Sequence, residues 1–252
     1  MIILAIDTSA AASVALVDGE RVLADRTEFA ARRHVESVGP ALAEVLAAGR
    51  AEGCAPEAVV VGIGPGPFTG LRAGIAAGIG AALGGGVPVH GAVSHDALAL
   101  RALDASGAAV GSDPAAASSA GGAVTIATDA RRREVYATTY SGLDDAGLPV
   151  RASGPAALSP SDLAASDLAA GHLTAGSRTS APRRVGRGFT LYEDVLGPPE
   201  DEDPAALDPT AAWLGRLAHR ALSAGRALPG TEPLYLREPD AKPSARRTPL
   251  LS

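Results

Sequence analysis

The sequence predicts an α/β fold, and three features carry that prediction. Short aliphatic or β-branched runs alternate with segments of helical period. One run, Val59-Val60-Val61-Gly62-Ile63, passes through a glycine and proline turn straight into a helix. A strand that ends in an aspartate and is followed by a returning strand occurs twice, at Asp7 and at Asp129, as two related halves would require.

Residues 2–6 form an apolar strand running into Asp7-Thr8-Ser9. Ser13-Val14-Ala15-Leu16-Val17 is the second strand, Asp18-Gly19 a strong hairpin turn, and Arg21-Val22-Leu23-Ala24 opens the third. Residues 33–48 read as a helix, with Val35, Val38, Leu42, Val45 and Leu46 on one face. Pro40 should kink that helix or step its start, because the ring clashes with the preceding turn. Strand 58–63, the glycine loop and helix 69–83 follow. Thr69 is the expected N-cap, and Gly84-Gly85-Gly86 the expected stop. Residues 87–93 form a short strand, and Ser94 caps helix 95–103, with Leu98 and Leu103 buried.

Residues 104–122 are nearly all small or polar and read as a flexible insertion. Residues 123–127 form a strand ending at Thr128-Asp129, Arg131-Arg132-Arg133 a charged turn, and 134–140 the returning strand. Residues 151–184 are poor in large apolar side chains, and their structure is left open. Residues 205–224 form a helix carrying Leu207, Trp213, Leu214, Leu217 and Leu222, and 239–252 is a polar, mobile tail.

At 252 residues the chain is one large domain or two small ones. Its apolar content is ample, but with three Phe, four Tyr and one Trp the core must be aliphatic. A net charge of −6 argues against a general nucleic-acid binder, though not against a subunit whose partner holds the RNA. The lone Cys54 rules out an internal disulfide framework and a cysteine metal cluster. No basic region precedes the first apolar run, so it reads as a buried strand rather than a signal peptide, and the expected location is the cytoplasm. Arg72 and the many glycines argue against a membrane span.

The run Gly62-Ile63-Gly64-Pro65-Gly66-Pro67-Phe68-Thr69-Gly70-Leu71-Arg72 sets backbone N–H groups and a helix dipole at one point, ready for an anion or a partner's acidic group. It is not a Walker A loop, since no Gly-Lys-Ser/Thr follows, and it lacks Gly-x-Gly-x-x-Gly spacing after Gly64. Thr69 and Arg72 are candidate phosphate ligands, although Thr69 suffices as a cap. In the helix, Gly70, Gly74, Gly78 and Ala82 make a small-residue stripe beside an apolar one, Leu71, Ile75, Ile79 and Leu83. The small stripe either admits a partner or is clamped inside its own domain. Histidines 34, 90, 95, 172 and 219 include no pair three or four apart, so a helix-borne metal site is not expected. His34 and Glu36, two apart, point to different sides. Ser94-His95-Asp96 are merely adjacent, which does not orient a triad. Arg131 to Arg133 either touch RNA or phosphate or form a solvated tip.

Asp7-Thr8-Ser9, Arg32-Arg33-His34-Val35-Glu36 and the glycine loop through Arg72 together resemble the TsaB family of tRNA threonylcarbamoyladenosine biosynthesis subunits. Thr128-Asp129-Ala130-Arg131-Arg132 to Glu134-Val135-Tyr136 resembles the family's second-half hairpin, and Glu232-Pro233-Leu234-Tyr235-Leu236-Arg237 its C-terminal motif. Residues 1–103 match densely, and 123–140 and 230–240 in patches. Pro67 stands where the family pattern has serine, and the insertions at 104–122 and 165–184 lie outside the usual core.

The resemblance implies an actin-like ATPase (ribonuclease H-like) fold of two βββαβα-type halves, the second degenerate. Residues 1–103 would be the first half, 104–122 the flexible insertion, 123–238 the second half and 239–252 the tail. It implies a non-catalytic scaffold that activates a catalytic paralogue, TsaD, with the ATPase TsaE, in threonylcarbamoyl transfer to the adenosine beside the anticodon of tRNAs reading codons that begin with A. No catalytic residue, metal or required cofactor is expected, the interface with partners leaves a place for ATP or ADP, and tRNA is touched only indirectly. The expected partner interface is Val35, Val38, Leu42, Arg72, Gly74, Ile75, Gly78 and Ile79, which also suits a homodimer. Asp7, Thr8, Gly64, Gly66 and Thr69 form a vestigial phosphate site. Asp7 would hold a magnesium-bound water, as in kinases of this fold, or only cap the Thr8-Ser9 turn. The alternative function is a small-molecule kinase or ATPase of the same fold.

Overall fold

The computed structural model describes residues 1–29, 34–107, 122–172 and 181–237. Most of the 104–122 insertion, residues 173–180 within the 165–184 insertion and the whole 239–252 tail lie outside the described residues.

The first half is a five-stranded sheet, β1 (Ile2–Asp7), β2 (Ala12–Asp18), β3 (Arg21–Glu28), β4 (Ala58–Gly62) and β5 (Val89–Ala92), in the order β3-β2-β1-β4-β5. β1 runs antiparallel to β2 and parallel to β4. β1 and β4 are covered on both faces, so they read as continuous apolar runs rather than alternating ones. Helices α1 (His34–Ala51) and α2 (Phe68–Gly85) pack on one face, over Leu4, Ile6, Val14, Leu16, Val59 and Val61. On the other face, Ile3, Ala5, Val17 and Val60 meet α3 (Ser94–Gly107) and the C-terminal helix α8 (Ala211–Ser223).

The second half repeats this plan. β6 (Val124–Asp129), β7 (Val135–Leu143), β8 (Pro149–Leu158) and β9 (Arg183–Val185) lie in the order β8-β7-β6-β9. β6 is antiparallel to β7 and parallel to β9, the pairings that β1 makes with β2 and β4. Among the described residues this sheet has no counterpart of β5, which is the sense in which the half is degenerate. Leu163 of α4 (Pro160–His172), Phe189 of α5 (Arg187–Leu191) and Leu196 of α6 (Glu193–Leu196) cover its outer face, and α7 (Pro204–Leu207) precedes α8. The two-half actin-like ATPase fold is therefore present.

The halves share α3. Ala97 and Leu100 belong to the first core, while Leu98, Ala99, Ala102 and Leu103 pack against Val124, Ile126 and Tyr140 of the second sheet.

Three local expectations are corrected. The N-cap of α2 is Pro67, in extended conformation with no side-chain cap, and exposed Thr69 lies inside the first turn. Proline suits a helix start because it has no N–H to orphan there. Second, the start of α1 is not stepped to Pro40, since the helix begins at His34 and contains it. Third, the helix expected over 205–224 was assigned by chain order to the second half, but α8 packs on β1 and β2 of the first, with Gly215 set against Val17 and Ala5. No helix among the described residues is long and apolar enough to cross a membrane.

Candidate functional site

The glycine loop has its glycines because it lies directly on the turn after β1. A Cβ at Gly66 would stand 2.6 Å from the Ser9 carbonyl oxygen, and one at Gly70 would stand 2.8 Å from that of Thr8. A Cβ at Gly74 would overlap Thr8 Oγ1, and one at Gly78 would overlap Val61 Cγ1. Thr8 Oγ1 donates to the Gly70 carbonyl at 2.8 Å. Gly64 takes φ +106°, a region closed to side chains, and its carbonyl accepts from Ser94 N at 2.8 Å.

The Gly70, Gly74, Gly78 stripe is thus clamped inside its own domain. Leu71, Gly74, Ile75, Gly78 and Ala82 are the buried residues of α2. Gly74, Ile75 and Gly78 are therefore not surface residues that a partner can reach. Val38 is buried in the same core, and Leu42 and Ile79 are half-buried against it. Of the residues expected at the interface, Arg72 is exposed, and the Val35 side chain lies outside the described residues.

The outward stripe of α2 is a different one. Arg72, Ala76, Gly80 and Leu83 are exposed, Leu83 to 78%. A Cβ added at Gly80, at Gly84 or at Gly39 of α1 would meet nothing within 4 Å. Ala43 and Ala47 of α1 are exposed as well. This second run of small residues was readable at the same four-residue spacing, but the first run masked it.

Between the halves stand three aspartates at corresponding strand or helix ends. Asp7 is fully buried, and its Oδ1 accepts from Ser9 N at 2.9 Å and Ser9 Oγ at 2.6 Å. Its Oδ2 has no hydrogen-bond partner and is aimed at Gly62 and Ser94. Burial raises the Asp7 pKa, and the hydrogen bonds from the Ser9 hydroxyl and N–H only partly offset this. Asp129 accepts from Arg131 N at 2.7 Å and pairs with the Arg131 guanidinium at 3.1 Å. Asp208, also buried, accepts from Arg187 Nε at 3.1 Å through each oxygen and from Arg187 Nη2 at 2.5 Å. These bonds raise the Arg187 pKa, and the Asp129 charge adds to the effect.

A nucleotide with its metal does not fit this arrangement. Asp7 turns its spare oxygen into the protein, Asp208 is already neutralised by an internal cation, and the backbone of Thr8 and Ser9 is covered by the glycine loop. Among the described residues no three His, Cys, Asp or Glu side chains cluster as metal ligands. The structure does bring Asp7, Thr8, Gly64 and Gly66 together, but as a packed joint, and Thr69 stands apart from it.

Other joints between the halves were not legible in the sequence. Buried His95 bridges the halves, with Nδ1 2.7 Å from Thr138 Oγ1 and Nε2 2.8 Å from Thr128 Oγ1. Desolvation, helped by the Arg151 charge, lowers its pKa to about 3. Its neighbours face elsewhere: Ser94 Oγ accepts from Gly64 N, and Asp96 takes Tyr140 Oη at 2.6 Å and pairs with Arg151. The three adjacent residues serve three separate joints, which leaves no triad.

The C-terminal segment straps the halves together. Gly91 N donates to the Pro229 carbonyl at 2.9 Å, and Leu234 N to that of Ile63 at 2.8 Å. Tyr235 stacks on Phe68 with centroids 4.2 Å apart and accepts from Arg72 Nε at 2.7 Å. Arg237 then reaches the second half, donating to the Ala130 carbonyl at 2.9 Å and pairing with Glu134.

Comparison with known proteins places these features in context. The sequence model of the family described as TsaD, tRNA N6-adenosine threonylcarbamoyltransferase, matches residues 26–171. An uncharacterized protein of Mycobacterium leprae is 38% identical over 62% of this chain, which spans only 38% of that relative's length. An uncharacterized protein of Mycobacterium tuberculosis strain H37Rv is 34% identical over 96% of this chain and 95% of its own. Among solved structures, an uncharacterized protein with similarity to peptidase YEAZ from Pseudomonas aeruginosa superposes with TM-score 0.66 and 29% identity, covering 94% of this chain and 99% of that one. YeaZ from Pseudomonas aeruginosa gives 0.65 and 28%, covering 93% and 99%.

Proposed function

Because the chain belongs to the TsaD family of tRNA N6-adenosine threonylcarbamoyltransferases, and within it is a TsaB-type protein, we propose that it is a non-catalytic subunit of the transferase assembly. In this reading it binds and activates a catalytic TsaD paralogue, with the ATPase TsaE, for threonylcarbamoyl transfer to the adenosine next to the anticodon. One observation carries the reading. Each acidic group that an actin-like ATPase would turn toward a metal and nucleotide is here engaged or enclosed by the chain itself: Asp7 by Ser9 and Gly62, Asp129 by Arg131, Asp208 by Arg187. ATP or ADP handling is then a matter for the partners, and this chain meets nucleotide only where a partner's site abuts it.

The surface offered to the paralogue, or to a second copy, is the outer face of α1 and α2. Small residues at Gly39, Ala43, Ala76 and Gly80 let another helix approach closely, and exposed Leu83 supplies an apolar anchor. Arg72 lies at one end of this face. The reading is tested by titrating the isolated protein with ATP and magnesium in a calorimeter, and then with purified TsaD. Heat of binding to TsaD and none to nucleotide is expected. Tight nucleotide binding with turnover by this chain alone would instead favour the kinase or ATPase reading.

A further inference from the structure

We propose that the pocket between the β7–β8 hairpin and the C-terminal end of α8 binds a small, uncharged aromatic molecule of one or two rings. The proposal stands apart from the subunit reading. No residue of α1, α2 or the glycine loop lines this pocket, and neither do Asp7, Asp129 and Asp208.

The pocket has a volume of about 200 Å³. Its floor comes from the first half, through Ala92 at the end of β5, Val93 before α3, and Leu217 and Ala221 of α8. The second half closes it with Leu148 and Pro149 of the β7–β8 hairpin. Ala92, Val93, Leu148, Leu217 and Ala221 are buried. Sites for small molecules favour such junctions, where apolar walls arrive from two structural units.

The polar groups around the pocket are already spent. Asp96 accepts from Tyr140 Oη at 2.6 Å and from Arg151 Nε at 2.7 Å, and also from Arg151 Nη2. Asp144 accepts from Ala146 N at 2.9 Å, Leu148 N at 3.0 Å and Arg226 Nη1 at 2.6 Å. The backbone is engaged as well. The Ala92 carbonyl accepts from Ile63 N, that of Val93 from Asp96 N, that of Ala221 from Arg226 N and that of Pro229 from Gly91 N. Two carboxylates and two guanidiniums are thus matched with each other, and the lining carries no unmatched charge. A charged ligand would give up its hydration with no opposite charge to receive it. Nucleotides, phosphates and simple carboxylates are therefore poor occupants.

What the pocket still offers is its apolar floor and the faces of two guanidiniums. An arginine whose edge is held by a carboxylate keeps its flat face, and such faces stack on aromatic rings. Arg151 and Arg226 both line the pocket, and both are exposed. A planar ring uses the floor and the guanidinium faces together, whereas an aliphatic ligand uses the floor alone. The size agrees, since a dry cavity of about 150 Å³ takes benzene. The somewhat larger volume here suits a phenol or an indole.

The probe is fluoroindole, and its binding to the full chain is followed by fluorine NMR. Saturable binding in the millimolar range is expected, unchanged between low and high salt because no charge pairing is involved. Phenol should displace the probe and cyclohexanol should not. A fluoroindole carboxylate should bind roughly tenfold more weakly. Ala221→Met extends a flexible side chain into the pocket and should abolish binding while the melting temperature holds or rises. Arg226→Gln leaves Asp144 its two backbone donors and removes one guanidinium face, so it should keep the fold and weaken the probe about two- to fivefold. Absence of saturable binding, or equal affinity for the carboxylate, would overturn the proposal. So would full affinity in Ala221→Met, which would place the probe elsewhere on the molecule. Should Ala221→Met fail to fold, Arg226→Gln decides alone, and parental affinity in that variant would overturn the aromatic assignment. TsaD takes no part in these measurements, so a failure of the subunit reading leaves their outcome untouched.

Discussion

Asp7 and His95 are both fully buried titratable groups, and their environments push their proton affinities in opposite directions. The Asp7 pKa lies above its unfolded value because burial disfavours the charge. Its ionisation therefore costs folding free energy, a penalty absent in acid and present once pH rises past the folded value. Replacing Asp7 by Asn keeps the acceptor for Ser9 and gives the orphaned position an N–H facing Ser94. Asp7→Asn should raise the melting temperature at pH 7.5 by a few degrees, about 2–4 °C per kcal/mol at this size, and the gain should vanish toward pH 3.5. A lower melting temperature at pH 7.5 would mean that the carboxylate is needed for the joint. For His95 the folded pKa of about 3 lies below the unfolded value. Both states are neutral above pH 7, and as pH falls from about 6.5 toward 3 only the unfolded chain takes up the proton. Stability should drop by up to about 1.4 kcal/mol per pH unit across that window. Urea unfolding at pH 7.5, 6 and 5 should show this, and His95→Gln should flatten the profile.

At the level of the element, α2 is a helix with two small stripes of different fate. Gly78 faces Val61 with no room for a Cβ, while Gly80 faces open space. Gly78→Leu should be strongly destabilising, since overpacking a closed core costs about 1–3 kcal/mol or more. Gly80→Leu should leave the fold intact or slightly firmer, because glycine inside a helix costs about 1 kcal/mol relative to better helix formers. The same substitution should weaken binding to TsaD at least tenfold by blocking helix approach. Melting curves and calorimetry on the two variants check both statements, and an unchanged TsaD affinity in Gly80→Leu would remove this face from the interface. The apolar and small positions of α2 were plain in the sequence. Which small stripe lay inward was not, because both recur every four residues, and only Thr8 and Val61, brought over by β1 and β4, distinguish them.

At the scale of the molecule, the two sheets do not behave as separate domains joined by a hinge. α3 is buried between them, His95 ties it to β6 and β7, and α8 returns from the second half to cover the first sheet. The strap from Pro229 to Arg237 closes the connection on another side. The protein should therefore unfold in a single calorimetric transition with calorimetric and van't Hoff enthalpies nearly equal. Two resolved transitions would show that the shared helix belongs energetically to one half only. Such a joined body suits a subunit that presents a fixed face to partners better than an enzyme that must close on substrate.

The order of strands and helices through residue 140, the echo of the first half in the second and the aliphatic core were determined by the sequence itself. Their causes are local: hydrophobic period, glycine and proline punctuation, and an aspartate at the end of each first strand. By contrast, β8, β9 and the short helices between residues 149 and 207 were not legible in it. The tertiary structure alone decided the rest. It set Arg187 on Asp208, His95 between Thr128 and Thr138, and α8 on the sheet of the opposite half. Each of these pairs groups distant along the chain, and no periodicity encodes which of several arginines, threonines or apolar helix faces will meet. The loop resembling a phosphate cradle shows the difference most clearly, since its composition suits an anion and a packed turn equally. The approach of Ser9 and Thr8 to Gly66 and Gly70 is what filled it.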